Sequence, residues 1–290
     1  MSSLVFFGLA GGITLLLLLR ELKVRSFRES FWADRKRAAR NYAYLIGSLV
    51  TLTLIRKTTP LMAEHLPQLF PIHKHFVLDV VGIFLGAELL NYVIHYVKHT
   101  HPWLWRFHFQ HHRETKFNLW LTAHVHVGEV FVSGMIMSAI LTSIGFSPTA
   151  TQIYFLFYSL VNTYQHTGKE ISLGVLDRII VGPRYHRLHH ALKMKGNFGS
   201  TLVFWDVVFG TAHWPEHHKS NLKVGIRENG EPWGFWREFT WFLVPGRRAE
   251  TTQTSEKRKT SPTWLGDPSE WKRPPSTPKR EIEPLLPTAK

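Results

Sequence analysis

Cysteine does not occur among the 290 residues of the chain. Its absence excludes disulfide bonds, thiolate metal ligands and iron–sulfur clusters, so any metal must be bound by imidazole, carboxylate or backbone oxygen. Two functional strings are missing as well. Without G-x-G-x-x-G the chain has no dinucleotide-binding fingerprint, and without H-E-x-x-H it lacks the pattern of a zinc metalloprotease.

Acidic residues are few relative to basic ones, with 21 Asp and Glu against 35 Lys and Arg and a formal net charge of +14. Such an excess favours an anionic partner, which can be nucleic acid, an anionic membrane surface or an acidic protein. Many of the basic residues lie next to long apolar runs. This distribution favours a membrane and argues against nucleic-acid binding.

The first apolar run covers residues 1–19, which carry no charged side chain, and residues 20–40 follow it with eight Lys and Arg. A secretory signal peptide has its positive charges before the apolar run, whereas a membrane span often has them on its cytoplasmic side. We therefore predict a membrane anchor whose basic flank lies in the cytoplasm. The membrane is the bacterial inner membrane, or the endoplasmic reticulum in a eukaryote.

Three further apolar segments follow. Residues 41–55 are predicted to return across the membrane, and residues 75–99 to form another span whose Asp79 and Glu88 face protein or water, because carboxylates facing lipid are costly. Residues 130–165 are uncharged and are interrupted by Gly145 and Pro148, which predicts a helical hairpin. The fold class is therefore all-α and polytopic, with about four or five hydrophobic helices.

The chain is predicted to have three parts. Residues 1–75 form the anchor spans with their basic loop, residues 76–245 form a domain that contains most of the histidines, and residues 246–290 form a disordered basic tail rich in Lys, Arg, Ser, Thr and Pro. The chain also contains clusters of histidines, which are described below. If the loop at 20–40 lies in the cytoplasm, counting the membrane crossings places each of these clusters on the cytoplasmic side. The clusters are therefore predicted to lie in a cytoplasmic helical cap.

Histidine is unusually frequent, with 18 residues, and it is clustered. One cluster has the spacing H-x-x-x-H and two have H-x-x-H-H, which place imidazoles on one face of a helix. Eight imidazoles exceed what one metal ion needs, so the pattern favours a dinuclear site. The eight residues are His95, His99, His108, His111, His112, His186, His189 and His190, and His126 and His166 are predicted as additional ligands.

The three clusters "HYVKH", "HFQHH" and "HRLHH", in this order beside membrane spans, resemble the fatty acid hydroxylase/sterol desaturase superfamily. The flanking strings "NLWLTAHVHVGE", "NTYQHTGKEISLG" and "GNFGSTLVFWDVVFGT" resemble it too, nearest to the alkylglycerol-monooxygenase-like and bacterial sterol-desaturase-like branch. The resemblance implies a membrane-bound oxidoreductase with two non-haem iron ions that uses dioxygen to hydroxylate or desaturate a lipid. It also implies metal binding by the ten histidines above.

Two positions depart from the pattern of related sequences. Asn162 stands four residues before His166, where some fatty acid hydroxylases have another histidine, and His124 replaces a common arginine. We assign both to the surroundings of the metal ligands rather than to the ligand set. Breaking an unactivated C–H bond requires a redox-active metal, which excludes zinc and supports iron.

The electrons must come from an external donor, because the chain itself has no nucleotide fingerprint and no iron–sulfur ligands. A ferredoxin, a cytochrome-type protein or a pterin-like reductant fits this role. The basic residues at 20–40 and in the tail either dock such a donor or bind anionic phospholipid. Two alternative functions stay open at this point: desaturation or ether cleavage at the same centre, and a non-catalytic histidine-rich protein that binds metal in the membrane.

Overall fold

The computed structural model describes residues 3–33, 35–67, 69, 75–191, 194–217, 223–226 and 235–243, and helices dominate this part of the chain. The described residues contain no strand, only two isolated antiparallel bridges. The α-helices are α1 Ser3–Glu21, α2 Arg25–Arg28, α3 Arg35–His65, α4 Phe76–Thr100, α5 Pro102–Arg113, α6 Val127–Ile144, α7 Pro148–Gln165, α8 Pro183–His189, α9 Phe204–Phe209 and α10 Phe235–Phe239. A π-helical turn at Glu29–Ala33 and 3-10 turns at Leu119–Thr122, Gly174–Arg178, Pro215–His217 and Trp241–Leu243 complete the set.

The chain divides into two compact units, Met1–Arg258 and Lys259–Lys290. The second unit, like the whole of the predicted tail 246–290, lies outside the described residues. Every element named below therefore belongs to the first unit.

Two helices of the described part, α4 and α6, are long and apolar enough to cross a membrane. This number is lower than the four or five that we predict from the sequence. Three other helices were expected to cross, α1, α3 and α7, and of these α3 and α7 are more polar than α4 and α6. In α3 the apolar stretch is followed at once by Arg56 and Lys57, and α7 carries Thr, Gln, Ser and Asn among its aromatic residues.

The hairpin predicted for residues 130–165 is confirmed as α6 and α7. Gly145 ends α6 in the left-handed conformation, with φ of 85°, a geometry that suits glycine because it has no side chain. Ser147 then caps α7 by accepting a hydrogen bond from the Ala150 N–H, and Pro148 occupies the first turn. The tight turn brings the carboxyl end of α7 back to the level where α6 begins.

The two acidic residues of α4 are buried, as we expected from the cost of exposing carboxylates to lipid. Asp79 accepts a hydrogen bond from the Ser147 N–H at the hairpin turn. Glu88 accepts from the Tyr154 hydroxyl and from the Thr201 N–H. These contacts fix α4 against the hairpin, around an apolar core of Ile83, Ala87, Met137, Leu141, Ala150 and Tyr154.

Part of the basic flank at 20–40 is buried inside the protein. Arg37 and Arg40 form ion pairs with Glu114, which directly follows α5, and the Arg40 Nη2 to Glu114 Oε2 distance is 2.7 Å. All three side chains are less than one-tenth exposed. These two arginines therefore join α3 to the histidine-bearing α5, and the prediction that the whole basic flank faces a donor or phospholipid is wrong for them.

Candidate metal centre

Four helices bring their histidines to one place. His95 and His99 lie one turn apart near the carboxyl end of α4, and α5 starts only two residues after that helix ends. The H-x-x-H-H pattern places three rings on one face of α5 and three at the end of α8. His166 caps the carboxyl end of α7, where the hairpin returns.

Nine of the ten histidines predicted as ligands gather into two groups. Within each group, one ring nitrogen per residue lies within 4.8 Å of every other. The five-histidine group consists of His95, His99, His108, His112 and His189, and the four-histidine group of His111, His166, His186 and His190. Each group draws on at least two distant parts of the chain, so the centre exists only in the folded protein.

The facing atoms in both groups are Nε2 nitrogens. In the five-histidine group, His108 Nε2 lies 3.1 Å from His95 Nε2 and 3.1 Å from His112 Nε2, and the His99 to His189 distance is 3.2 Å. In the four-histidine group, His166 Nε2 lies 3.3 Å from His111 Nε2 and 3.0 Å from His186 Nε2. His186 Nε2 lies 3.1 Å from His190 Nε2.

The opposite ring nitrogens determine which tautomer is present. The Nδ1 atoms of His95, His166 and His189 lie 2.8 to 2.9 Å from backbone carbonyl oxygens, of Phe198, Asn162 and Gly196 respectively. A carbonyl oxygen accepts only, so each Nδ1 must carry the hydrogen and each Nε2 must present a lone pair. The Nε2 lone pair of each of these three rings therefore points at the Nε2 atom of a facing ring.

This arrangement fits a bound cation. Imidazole nitrogens lie about 2.0–2.1 Å from a bound transition metal, so two ligands at a right angle are about 3.0 Å apart and two at a tetrahedral angle about 3.4 Å apart. The observed Nε2 separations of 3.0 to 3.3 Å fall in this interval. Facing lone pairs without a cation repel each other, which makes each group a candidate metal position.

Burial keeps these rings unprotonated. It lowers the pKa of His166 to about 4 and that of His189 to about 3, from an ordinary value of 6.5. Burial also lowers the pKa of His111, His186 and His190 well below the ordinary value, and neighbouring imidazoles lower it further. At neutral pH these rings are therefore neutral, the form that binds a metal.

His126, the tenth predicted ligand, joins neither group. Its Nδ1 accepts a hydrogen bond from the Gly128 N–H at the start of α6, and its Nε2 lies 3.0 Å from the Phe239 carbonyl oxygen. Both ring nitrogens are thus used within the protein, and His126 serves as the N-cap of α6. The sequence could not distinguish this role because a capping histidine and a ligand have the same local pattern.

The two residues assigned to the ligand surroundings occupy different places. Asn162 contacts His166 through its backbone carbonyl, and its side-chain oxygen accepts a hydrogen bond from the Gln165 amide. The His124 side chain bonds Asn41 Oδ1 on α3, while its backbone carbonyl accepts from His111 Nδ1 at 3.3 Å. Both residues support a ligand through the main chain.

Sequence reasoning missed Glu129. Its Oε1 atom accepts hydrogen bonds from His108 Nδ1 at 2.9 Å and from Lys98 Nζ at 2.8 Å. The only local signal was a lone acidic residue in the first turn of an otherwise uncharged helix, and a helix dipole accounts for such a residue equally well. Its contact with a histidine 21 positions earlier follows from tertiary packing alone.

The family model for fatty acid hydroxylases matches residues 80–211, a segment that contains every histidine of both groups. No solved structure gives a significant match to the chain.

Among curated proteins, the chain is 31% identical over 171 residues to the ornithine lipid hydroxylase OlsE of Rhizobium tropici. It is 28% identical over 131 residues to alkylglycerol monooxygenase of Homo sapiens and 26% over 168 residues to human cholesterol 25-hydroxylase. The aligned parts cover 53%, 44% and 56% of this chain.

The chain spans about half of the bacterial relative, 49% of its length, and 29% and 60% of the two human proteins. The match to the family model and the similarity to lipid hydroxylases and a lipid monooxygenase agree with the histidine spacing and with the two groups that it forms. Residues 80–211 of this chain are thus similar to the fatty acid hydroxylase family.

Proposed function

We propose that the protein is a membrane-bound oxidoreductase that hydroxylates a lipid, with two non-haem iron ions and dioxygen as co-substrate. The observation that carries the proposal is the gathering of nine imidazoles, eight of them buried and that of His99 half-buried, into two groups with converging Nε2 atoms. Histidine ligands suit several transition metals, but oxidation of an unactivated C–H bond needs a redox-active one. Iron meets both requirements.

One ion in each group accounts for the number of ligands. The five-histidine group and the four-histidine group both leave coordination positions open if the metal is octahedral. When bound, the iron pair would supply oxygen activation. One oxygen atom of O2 would be inserted into the C–H bond and the other released as water, with two electrons from the external donor and two protons from solvent.

The protein orients the histidine rings and excludes water from the space between them. The hydrogen bonds from Nδ1 to backbone carbonyls orient the rings, and burial excludes water from the space between them. Three helices, α4, α5 and α7, are in contact with one another or with α8 around this space. The ligands are thus arranged before any metal binds.

The substrate class follows from the relatives and from the position of the centre. The relatives are named for an ornithine lipid, alkylglycerol and cholesterol, which all combine a long apolar part with a polar group. The centre lies at the carboxyl ends of α4 and α7, next to apolar helices that qualify as spans. A lipid enters from the bilayer with its alkyl part along these helices.

We further propose that α1, α3 and α7 accompany α4 and α6 in the membrane, which restores the expected total of about five hydrophobic helices. Several described side chains of α1 are exposed and apolar, among them Leu15, Leu16 and Leu19, as suits a lipid-facing helix. The histidine centre then lies in a cap on the cytoplasmic side, within a catalytic domain of residues 76–245.

The electron donor is a ferredoxin, a cytochrome-type protein or a pterin-like reductant. An acidic protein donor docks on basic residues that remain exposed, which excludes the buried Arg37 and Arg40. No nucleic acid is involved in this function.

Lipid analysis of cells that express the protein tests the proposal. We expect one lipid class to gain an oxygen atom, and we expect both this product and the bound iron to be reduced strongly in His189→Ala, which removes one ligand. A loss of two hydrogens instead indicates desaturation, and release of an aldehyde indicates ether cleavage. Purified protein without iron, or unchanged lipid oxidation in His189→Ala, contradicts the proposal.

A further inference from the structure

The two histidine groups differ in the hydrogen-bond partners of their Nδ1 atoms, which lie on the side of each ring away from Nε2. In the five-histidine group, His108 donates from Nδ1 to the carboxylate of Glu129, whereas His95 and His189 donate to backbone carbonyls. The Glu129 side chain is only 6% exposed, and Lys98 anchors the same carboxylate oxygen at 2.8 Å. The other carboxylate oxygen, Oε2, is buried and has no hydrogen-bond partner among the described residues, so the two contacts of Oε1 hold the Glu129 side chain.

The four-histidine group has weaker support. His111 and His166 donate to the backbone carbonyls of His124 and Asn162. The Nδ1 atoms of His186 and His190 are buried and have no hydrogen-bond partner among the described residues. No hydrogen bond or ion pair joins a carboxylate to a ring of this group in the part of the chain that the structure describes. The charge of Glu129 raises the pKa of His111 through space, but among the rings of both groups it contacts only His108, so the two groups are electrostatically unequal.

His108 is the ring through which Glu129 has the greatest effect. Its Nε2 atom lies 3.1 Å from the Nε2 atoms of both His95 and His112. Loss of the Glu129 contact frees the ring to rotate or to change tautomer, and either change disturbs two neighbours at once. A carboxylate that accepts a hydrogen bond from Nδ1 also makes Nε2 of the same imidazole a stronger metal ligand.

We infer that Glu129 is a positioning residue that makes the five-histidine group the tighter of two unequal metal positions, with Lys98 holding its carboxylate in place. The inference rests on the proposed function, because it requires a metal ion in each group. It adds that the two ions bind in a fixed order, the five-histidine group first. Glu129 itself contacts no metal and acts through His108.

Competition between the metal-free, full-length protein in detergent and a colorimetric chelator for Co²⁺ measures both affinities. Wild-type protein should show two binding steps. Glu129→Gln keeps the shape and an acceptor oxygen but removes the negative charge, so it should weaken the tighter step by about 10- to 100-fold and change the weaker step much less. In a His166→Ala background, which disables the four-histidine group, the tight step should remain and should still respond to Glu129→Gln.

Two variants control for general damage to the fold. Glu88→Gln removes a similarly buried carboxylate that bonds Tyr154 and the Thr201 backbone, away from both groups, and should change neither step. Lys98→Gln loses the anchor of the carboxylate and should weaken the same tight step to a smaller extent, a result that stands even if Glu129→Gln does not fold.

The outcomes separate this inference from the proposed function. Two equal binding steps, or an effect of Glu129→Gln and Lys98→Gln on the weaker step alone or on neither step, overturn the role of Glu129 while the metal centre stands. A wild-type protein that binds fewer than two ions overturns both the inference and the dinuclear centre. An effect of Glu88→Gln as large as that of Glu129→Gln also overturns the role.

Discussion

The Nε2 atoms of His95 and His108 lie 3.1 Å apart, and the lone pair of His95 Nε2 points at the His108 ring. Both rings donate from Nδ1, His95 to the Phe198 carbonyl and His108 to the Glu129 carboxylate. The same situation holds for His111 and His166, whose Nε2 atoms are 3.3 Å apart. Such close approaches of ring nitrogens are favourable when a cation lies between the rings, as the proposed metal centre requires.

Removal of the metal should therefore destabilise the protein. A ligand that binds only the folded state adds about 2.7 kcal/mol at a concentration 100 times its dissociation constant. We expect a strong chelator to lower the midpoint of thermal unfolding in detergent, measured by tryptophan fluorescence, and Fe²⁺ to restore it. A midpoint that does not respond to chelation, in a sample whose metal has been shown to be removed, argues against the bound cation.

Replacement of His126 separates its capping role from a ligand role. His126→Ala loses the hydrogen bond from the Gly128 N–H, and loss of an N-cap costs about 0.5–2 kcal/mol of stability. The metal content should stay at the wild-type level. Chemical unfolding and elemental analysis of the same preparation check both points, and a loss of metal on this substitution returns His126 to the ligand set.

Glu114 should be essential for stability, because it is the shared partner of two buried guanidinium groups, on Arg37 and Arg40. Glu114→Ala leaves both cations without their partner, and breaking a buried ion pair in this way costs about 3–5 kcal/mol. The exposed ion pair between Arg178 and Glu216 provides the matched control. Glu216→Ala should cost under about 1 kcal/mol. Equal costs for Glu114→Ala and Glu216→Ala show that the buried pair does not hold α3 to the end of α5.

The metal-free protein should lose stability as the pH falls below neutrality. The unfolded chain protonates its histidines near pH 6.5, whereas burial lowers the pKa of His166 to about 4 and that of His189 to about 3 in the folded state. Stability from these rings is therefore complete above pH 7 and is lost progressively between about pH 6.5 and pH 3, at about 1.4 kcal/mol per pH unit for each ring.

The metal-bound protein provides the comparison for this pH dependence. Metal holds the rings unprotonated, so its unfolding midpoint should stay nearly constant until the metal is released. Denaturant titrations from pH 7 to pH 4 on both forms give the two slopes. A metal-free protein whose stability is flat across this range contradicts the burial of the imidazoles.

The local features of this fold can be predicted from the sequence. The hairpin of α6 and α7 follows from Gly145 and Pro148, and the burial of Asp79 and Glu88 follows from the cost of a carboxylate in lipid. The helical spacing of the histidine clusters also determines which rings share a face. The hairpin and the histidine faces depend on residues that are close in the chain, and the burial of the two carboxylates depends on the solvation of each side chain alone.

The pairing of the clusters cannot be predicted in the same way. The H-x-x-H-H cluster of α5 is divided, since His108 and His112 join the five-histidine group and His111 joins the four-histidine group. The cluster of α8 is divided too, with His189 in one group and His186 and His190 in the other. These divisions, and the contact of Glu129 with His108, depend on how distant helices pack.

The metal content of the purified wild-type protein, compared with variants of each group, tests the central claim most directly. We predict about two iron ions per chain in the wild-type protein, and about one in His166→Ala, because one group remains intact. His213→Ala, which replaces a ring bonded to the Lys195 carbonyl outside both groups, should keep the wild-type content. An iron content near zero in the wild-type protein, or one that His166→Ala leaves unchanged, contradicts the account.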